Sequence, residues 1–232
     1  SYLRYTCVPA PLTIFRGIRK LEPGQLLTVN AGCPNHEIVP FWDADTMLSE
    51  PVQDSWQGDP QSYLEQLEGL LVSAIDQQMI SDVPLGAFLS GGVDSSLIVA
   101  LMQSLSDNPV KTFTVGFEEG EYDESKFANQ VAAVLGTEHH EERLSARDAL
   151  DRVPSLPECF DEPFADSSQL PTMLVSEVAR QHVTVTLSGD GGDELFGGYD
   201  RYPKTKAQWQ ELARTPKWIR QIGGIVLTAM PD

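Results

Sequence analysis

The stretch FLSGGVDSS, Phe88 to Ser96, decides how the rest of the chain is read. The apolar run VPLGAFL (83–89) stops at a serine, two glycines follow, and an aspartate then sits among small hydroxyl residues. VPLGAFL reads as a short buried strand, and SSLIVALMQSL (95–105) as an apolar helix. The stretch is therefore a strand-to-helix turn. Two glycines without Cβ let consecutive N–H groups converge on an anion. A helix starting near Ser95 adds free N–H groups and the positive end of its dipole. Ser90, Ser95 and Ser96 can add hydroxyl donors. Asp94 suits a phosphate site once a cation is included, because a carboxylate beside bound phosphates is a usual way to hold Mg²⁺. The plainer reading is a turn in which Asp or Ser caps the helix.

Outward from this turn the pattern alternates. VKTFTVGF (110–117), EHHEERL (138–144) and VTVTLSG (183–189) read as further strands. DESKFANQVAAVLG (123–136) reads as an amphipathic helix ended by Gly136, and PTMLVSEVARQ (171–181) as another helix. Strands separated by helices of this length predict crossovers, hence a doubly wound α/β fold with a mostly parallel sheet. Ligands of such sheets bind at the carboxyl ends of the strands. Upstream, Leu64, Leu67, Leu71, Ala74, Ile75 and Met79 fall at helical spacing. Residues 46–60 are polar and turn-forming and read as a linker. Residues 1–45, with a strand expected at GQLLTV, read as the end of a β-rich unit.

Composition narrows the function classes. The formal charge of −18 argues against a broad nucleic-acid-binding face. A nucleotide held by backbone amides and metal ions stays compatible with it. No apolar run approaches the roughly 18 residues needed to cross a bilayer, and the first residues do not read as a signal peptide. Cys7, Cys33 and Cys159 are odd in number and form no C-x-x-C pair, which fits a reducing cytoplasm rather than a disulfide framework or zinc site. The absence of an initiator methionine and the ending LTAMPD lead us to expect a piece of a longer protein.

A second glycine stretch, LSGDGGDELFGGYDR (187–201), follows the last strand and adds Asp190, Asp193 and Glu194. It lacks the spacing of a calcium loop. If parallel strands bring both loops to one edge, Asp94 and Asp193 could share a metal. The chain has no G-x-x-x-x-G-K-[ST], no G-x-S-x-G and no H-E-x-x-H. His139-His140 reads as the two faces of a strand rather than a metal pair.

SGGVDS resembles the signature of the ATP pyrophosphatases, the adenine nucleotide α-hydrolase-like enzymes that cleave ATP between the α and β phosphates. With TFTVGF, LGTEHHE, DEPFADSSQLPT and LSGDGGDELFGGY, the chain closely resembles the synthetase domain of the glutamine-hydrolysing asparagine synthetase B family. RYTCVPAPLTIFRGIRKLEPGQLL resembles the last part of that family's glutaminase domain. The resemblance implies that residues 1–45 end a type 2 glutamine amidotransferase domain, and that residues 61–232 belong to the synthetase domain.

The resemblance further implies that ATP and aspartate form β-aspartyl-AMP and pyrophosphate, after which glutamine-derived ammonia gives asparagine. It carries the pyrophosphate loop onto Ser90, Gly91, Gly92, Asp94, Ser95 and Ser96, and the adenine and ribose contacts onto Leu89, Val115, Ser188 and Gly189. The magnesium carboxylates become Asp94 and Asp193, and Asp190 the acid near the activated intermediate. Familiar members read S-G-E-G where this chain has Asp190, one methylene shorter. The family's glutaminase cysteine has no counterpart here, since Cys7 lies within the matching region; nor do Lys204 and Lys206 match its catalytic lysine, which is expected downstream of Asp232. The partners implied are ATP, aspartate and glutamine or ammonia, with no nucleic acid or membrane; a homodimer is compatible. Two other readings stay open: a β-lactam synthetase-like adenylating ligase, and a non-catalytic nucleotide-binding remnant. Thiouridine-forming tRNA enzymes share the loop, but the acidic balance and the lack of paired cysteines weigh against them.

Overall fold

The computed structural model describes residues 2–32, 36–49, 58–117, 123–217 and 219–220. Cys33, residues 50–57 of the expected linker and the apolar run near the end (222–230) lie outside them. After a one-turn helix α1 (Tyr2–Tyr5), strands β1 (Gln25–Val29) and β2 (His36–Pro40) pair antiparallel. Only the first was expected: β2 is fully exposed and its apolar pair Ile38-Val39 gives no alternation. The stretch read as a linker is partly helical, with α2 at Ala44–Ser49. Asp43 supports this turn by accepting from Thr46 N–H at 3.0 Å.

Helix α3 (Pro60–Met79) opens with a proline and a cap: the Asp59 carboxylate accepts from the Gln61 and Ser62 N–H groups, each at 3.0 Å. Then come β3 (Leu85–Phe88), α4 (Val93–Leu105), β4 (Lys111–Phe117), α5 (Ser125–Leu135) and β5 (Glu138–Leu144). Gly136 ends α5 in the left-handed region at φ 70°, as the sequence suggests. Three short helical turns follow, α6 (Ala146–Arg152), a 3₁₀ turn at Val153–Ser155 and α7 (Leu156–Cys159). Their charged sequence lacks an apolar stripe; the first forms on a Ser145–Asp148 capping box. The chain continues through α8 (Gln169–Arg180), β6 (Val185–Leu187), α9 (Gly192–Phe196) and α10 (Arg201–Arg214).

The main sheet is four-stranded and wholly parallel, in the order β5-β4-β3-β6. Alternation along the strands splits the core into two faces. Ala87 and Leu89 pack with Ile75 of α3, Val99 and Met102 of α4, and Ala128 and Ala132 of α5. Phe113, with Phe88 and Val115 beside it, meets Val178 and Ala179 of α8. Helices thus cover both faces, as the doubly wound reading requires. The face of α3 is only partly used, for Ile75 is buried while Leu64 stays exposed. His139 and His140 point to opposite faces: His139 Nδ1 lies 2.8 Å from Thr112 Oγ1, whereas His140 stacks on Phe113 and His182.

Candidate functional site

The carboxyl ends of β3, β4 and β6 and the start of α8 surround a cleft of about 780 Å³. The first glycine loop forms one wall. Leu89 N–H still donates to Phe113 O at 2.9 Å, so the chain leaves the sheet only at Ser90. Gly91 then turns at φ 82°, where a Cβ would lie 2.5 Å from Ala128 N, so no other residue lets the loop lie this close to α5. Gly92 is extended and caps α4, which begins at Val93 rather than near Ser95. The expected onset is two residues late because an extended glycine N-cap leaves no side-chain signal, and Asp94 therefore sits in the first turn.

Ser95 is the knot of this loop. Its buried Oγ accepts from Ser90 N–H at 3.2 Å, lies 2.9 Å from Ser90 Oγ and donates to Gly92 O at 3.3 Å. The Gly92 N–H donates to Ser90 Oγ at 3.2 Å. Among the described residues the Val93 and Asp94 N–H groups have no acceptor, as expected of a first helical turn. The cleft wall is thus a fixed turn with unsatisfied donors at a helix N-terminus, an arrangement suited to an anion.

The second loop lies against the first because β6 pairs directly with β3. Ser188 Oγ donates to Asp190 Oδ2 at 3.0 Å. Gly189 packs so closely that a Cβ there would lie 2.8 Å from Ser95 N and 3.0 Å from Asp94 C. The short helix α9 places Asp193 and Glu194 at the cleft. Tyr199 closes the loop by donating its hydroxyl to Glu194 Oε1 at 2.6 Å, beneath the Arg201 guanidinium 4.3 Å from its ring centre. That bond holds the Glu194 carboxyl below the usual carboxylate range and pushes the Tyr199 phenol up to about 12.

Most residues singled out in the sequence meet here. Leu89, Ser90, Gly92, Asp94 and Ser95 line the cleft from the first loop, and Val115 from β4. Ser188, Gly189, Asp190 and Asp193 line it from the second. Gly91 and Ser96 do not: Gly91 faces α5, and Ser96 lines a separate crevice of about 420 Å³ between α4 and α5, its Oγ buried without a partner. With the helix starting at Val93, Ser96 is turned to the side opposite the cleft. Sequence reasoning missed Tyr199, Phe113 and Thr172 as cleft residues. The one local sign for Tyr199 is its place directly after the Gly197-Gly198 pair.

A metal held by protein alone is not built here: among the described residues no group of three or more His, Cys, Asp or Glu could hold one. Two cleft carboxylates, Asp94 and Asp193, fit a magnesium ion that takes its other ligands from phosphates and water. A Cβ on Gly192 would lie 2.5 Å from Asp94 Cγ, so the Asp94 carboxylate rests on the residue just before Asp193. Consecutive Cα atoms are about 3.8 Å apart, which keeps the backbone bearing the two carboxylates close together.

The asparagine synthase family profile matches residues 66–229, the greater part of the chain. A Methanocaldococcus jannaschii protein, provisionally named glutamine-hydrolysing asparagine synthetase 2, is 37% identical over 223 residues, 96% of this chain and 42% of that protein. The glutamine-hydrolysing asparagine synthetase 1 of Bacillus subtilis is 33% identical over 232 residues, 100% of this chain and 35% of its own. The solved NMN synthetase of Francisella tularensis is similar with a TM-score of 0.40 and 16% identity over 62% of this chain and 60% of that one, too remote to bear on function. The chain belongs to the asparagine synthase family. It spans well under half the length of the two named relatives.

Proposed function

We propose that this chain is the nucleotide-binding part of an enzyme that makes asparagine from aspartate at the expense of ATP. The observation that carries the reading is the contact between the two glycine loops, which puts the N-terminus of α4, Asp94, Asp190 and Asp193 on one cleft. The named relatives are glutamine-hydrolysing asparagine synthetases, which supports aspartate as acceptor and glutamine as the nitrogen source.

In this reading a β-carboxylate oxygen of aspartate attacks the α-phosphorus, the α–β phosphoanhydride bond breaks, and pyrophosphate leaves with the bonding electrons. Ammonia then attacks the acyl carbon of β-aspartyl-AMP; the acyl C–O bond breaks, AMP leaves, and the surplus proton passes to a base. Free N–H groups at Val93 and Asp94, on the turn that Ser90 and Ser95 hold in place, receive the charge that grows on the pyrophosphate. Leu89, Val115, Ser188 and Gly189 form the adenosine side. Asp190, steadied by Ser188, faces the activated acyl group. A magnesium ion held by Asp94 and Asp193 would neutralise phosphate charge.

The remaining assignments belong to the same proposal. Residues 1–45 end a glutaminase domain, 46–60 link it to the synthetase part, and 61–232 begin that part. Contacts run between the two: Ala165 N–H donates to Thr6 O at 2.7 Å, and Lys20 pairs with Glu162 at 2.9 Å. Among the described residues no helix is long and apolar enough to cross a membrane.

The test is Asp94→Asn in the protein at its full natural length. It should lose aspartate-dependent pyrophosphate release while keeping its melting temperature. Loss of one of two cation carboxylates should lower turnover by several orders of magnitude. Near-normal turnover with an unchanged Mg²⁺ requirement would reduce Asp94 to a helix-terminal charge.

A further inference from the structure

We propose that Gly192 and Gly198 are positioning residues, each leaving empty the space in which one cleft carboxylate stands. The inference rests on the nucleotide reading above and assigns a reason to glycines that a turn does not require. The second loop contains two glycine pairs, Gly191-Gly192 and Gly197-Gly198, and within each pair the two members differ. Gly191 and Gly197 have φ of 92° and 71°, the left-handed region that favours glycine. A Cβ on Gly191 would meet nothing within 4 Å, and one on Gly197 would meet only Tyr202 Cδ2 at 3.9 Å. These two are required by the backbone and by nothing in space.

Gly192 and Gly198 are the reverse. Neither is in the left-handed region, so the backbone admits an alanine at both. Space does not. A Cβ on Gly192 would lie 2.5 Å from Asp94 Cγ and 2.8 and 2.9 Å from its two oxygens, so all three nearest atoms belong to one carboxylate. A Cβ on Gly198 would fall on Asp193 Oδ1, with Asp193 Cγ at 3.0 Å. Each pair therefore bends the chain with its first member and seats a carboxylate with its second. The two carboxylates so seated are the two that fit a cation in the cleft.

The chemistry of the conflict fixes the phenotype. The nearest atoms in the way are the rotatable end of an aspartate; at Gly198 the Asp193 Cα also lies 3.3 Å from the added carbon, a contact that asks only a few tenths of an ångström of the backbone. An added methyl is relieved by turning that carboxylate aside, which costs its position rather than the fold. Such a displacement should act on the cation first and on the nucleotide through it. Changes that misplace a metal ligand without removing it typically cost ~10–100-fold in metal affinity.

The experiment uses the full-length protein with Gly198→Ala, Asp193→Ala and the double variant. Titration of Mg²⁺ at fixed ATP by calorimetry, and of Mn²⁺ by electron spin resonance, gives the cation half-saturation without relying on turnover. Gly198→Ala should raise it about tenfold or more with the melting temperature unchanged. The double variant should behave as Asp193→Ala alone, since the carboxylate that the methyl displaces is gone. Gly192→Ala should stand in the same relation to Asp94→Ala. If Asp193→Ala raises the half-saturation and Gly198→Ala does not, the seat is wrong and the metal reading survives. If Asp193→Ala changes nothing, the metal reading falls and takes the seat with it. A Gly198→Ala penalty that persists undiminished beside Asp193→Ala, or one that comes with a collapsed melting temperature, shows a backbone role and overturns the inference.

Discussion

Removing one buried oxygen, in Ser95→Ala, tests whether the first loop is built in advance of its ligand. Ser95 Oγ accepts from Ser90 N–H at 3.2 Å and donates to Gly92 O at 3.3 Å, with Ser90 Oγ at 2.9 Å. The longer bond, near the geometric limit, adds little. The Ser90 pair dominates: a net hydrogen bond is worth about 1 kcal/mol, and the part-buried Ser90 N–H, left without its acceptor, costs about 1 kcal/mol more at the low end of the range. The total is about 2 kcal/mol, which corresponds to ~30-fold in an equilibrium constant. That cost can appear in two places. A loop that stays put without the oxygen lowers unfolding free energy; a loop that relaxes must be reordered by the nucleotide and lowers affinity instead. Urea unfolding and Mg·ATP calorimetry on the full-length protein measure the two parts, and their sum should come to about 2 kcal/mol. A sum under about 0.5 kcal/mol would show that the serine knot does not hold the loop. An affinity loss beyond ~1,000-fold would show the hydroxyl binding phosphate itself, not organising the turn.

Two further outcomes concern titrating groups. Glu194→Gln removes the charge that accepts the Tyr199 proton, so the phenol should ionise nearer 10.0 than the about 12 held in the native loop. Ultraviolet absorbance titration, with Tyr199→Phe assigning the signal, reads this, and an unmoved transition would mean the 2.6 Å bond does not persist in solution. His139 is held below its ordinary value of 6.5 chiefly by burial, helped by the nearby His140 and opposed by Glu141. Its Nε2 is buried without a partner, so the folded chain favours the neutral ring. Because the folded value is the lower one, this contribution is complete above 6.5 and is lost as pH falls toward the folded value. His139→Asn, which keeps a group for Thr112, should be outstripped by the native chain at pH 7.5 and approach it at pH 5 in urea unfolding midpoints. A pH-independent gap would place the effect in packing.

What the sequence made legible was local. The strand at 111–117 and the helix at 125–135 show in the alternation of Phe113 and Val115 and in the left-handed stop at Gly136. The cap of α3 at Asp59-Pro60 went unread, because both residues fall at the end of the polar stretch read as a linker. The turns at 146–159 were not legible, since their charged residues follow no apolar period and their order comes from a capping box and prolines. Nor was the onset of α4, because an extended glycine at the N-cap, Gly92, leaves no side-chain signal.

The site itself depends on a fact no local pattern carries, the pairing of β6 with β3. The sheet order β5-β4-β3-β6 reverses direction of growth at β3, and in a parallel sheet the crevice opens where that reversal occurs. Both glycine loops leave the two strands flanking this point, so their placement follows from topology once the order is known. Their intimacy does not. It requires Gly189 to lie against the backbone of Asp94 and Ser95, and Gly192 against the Asp94 carboxylate, contacts that any side chain at either position would prevent. The motifs are therefore two halves of one surface. Gly189 and Gly192, which neither turn the chain nor line open space, mark where the other half touches it.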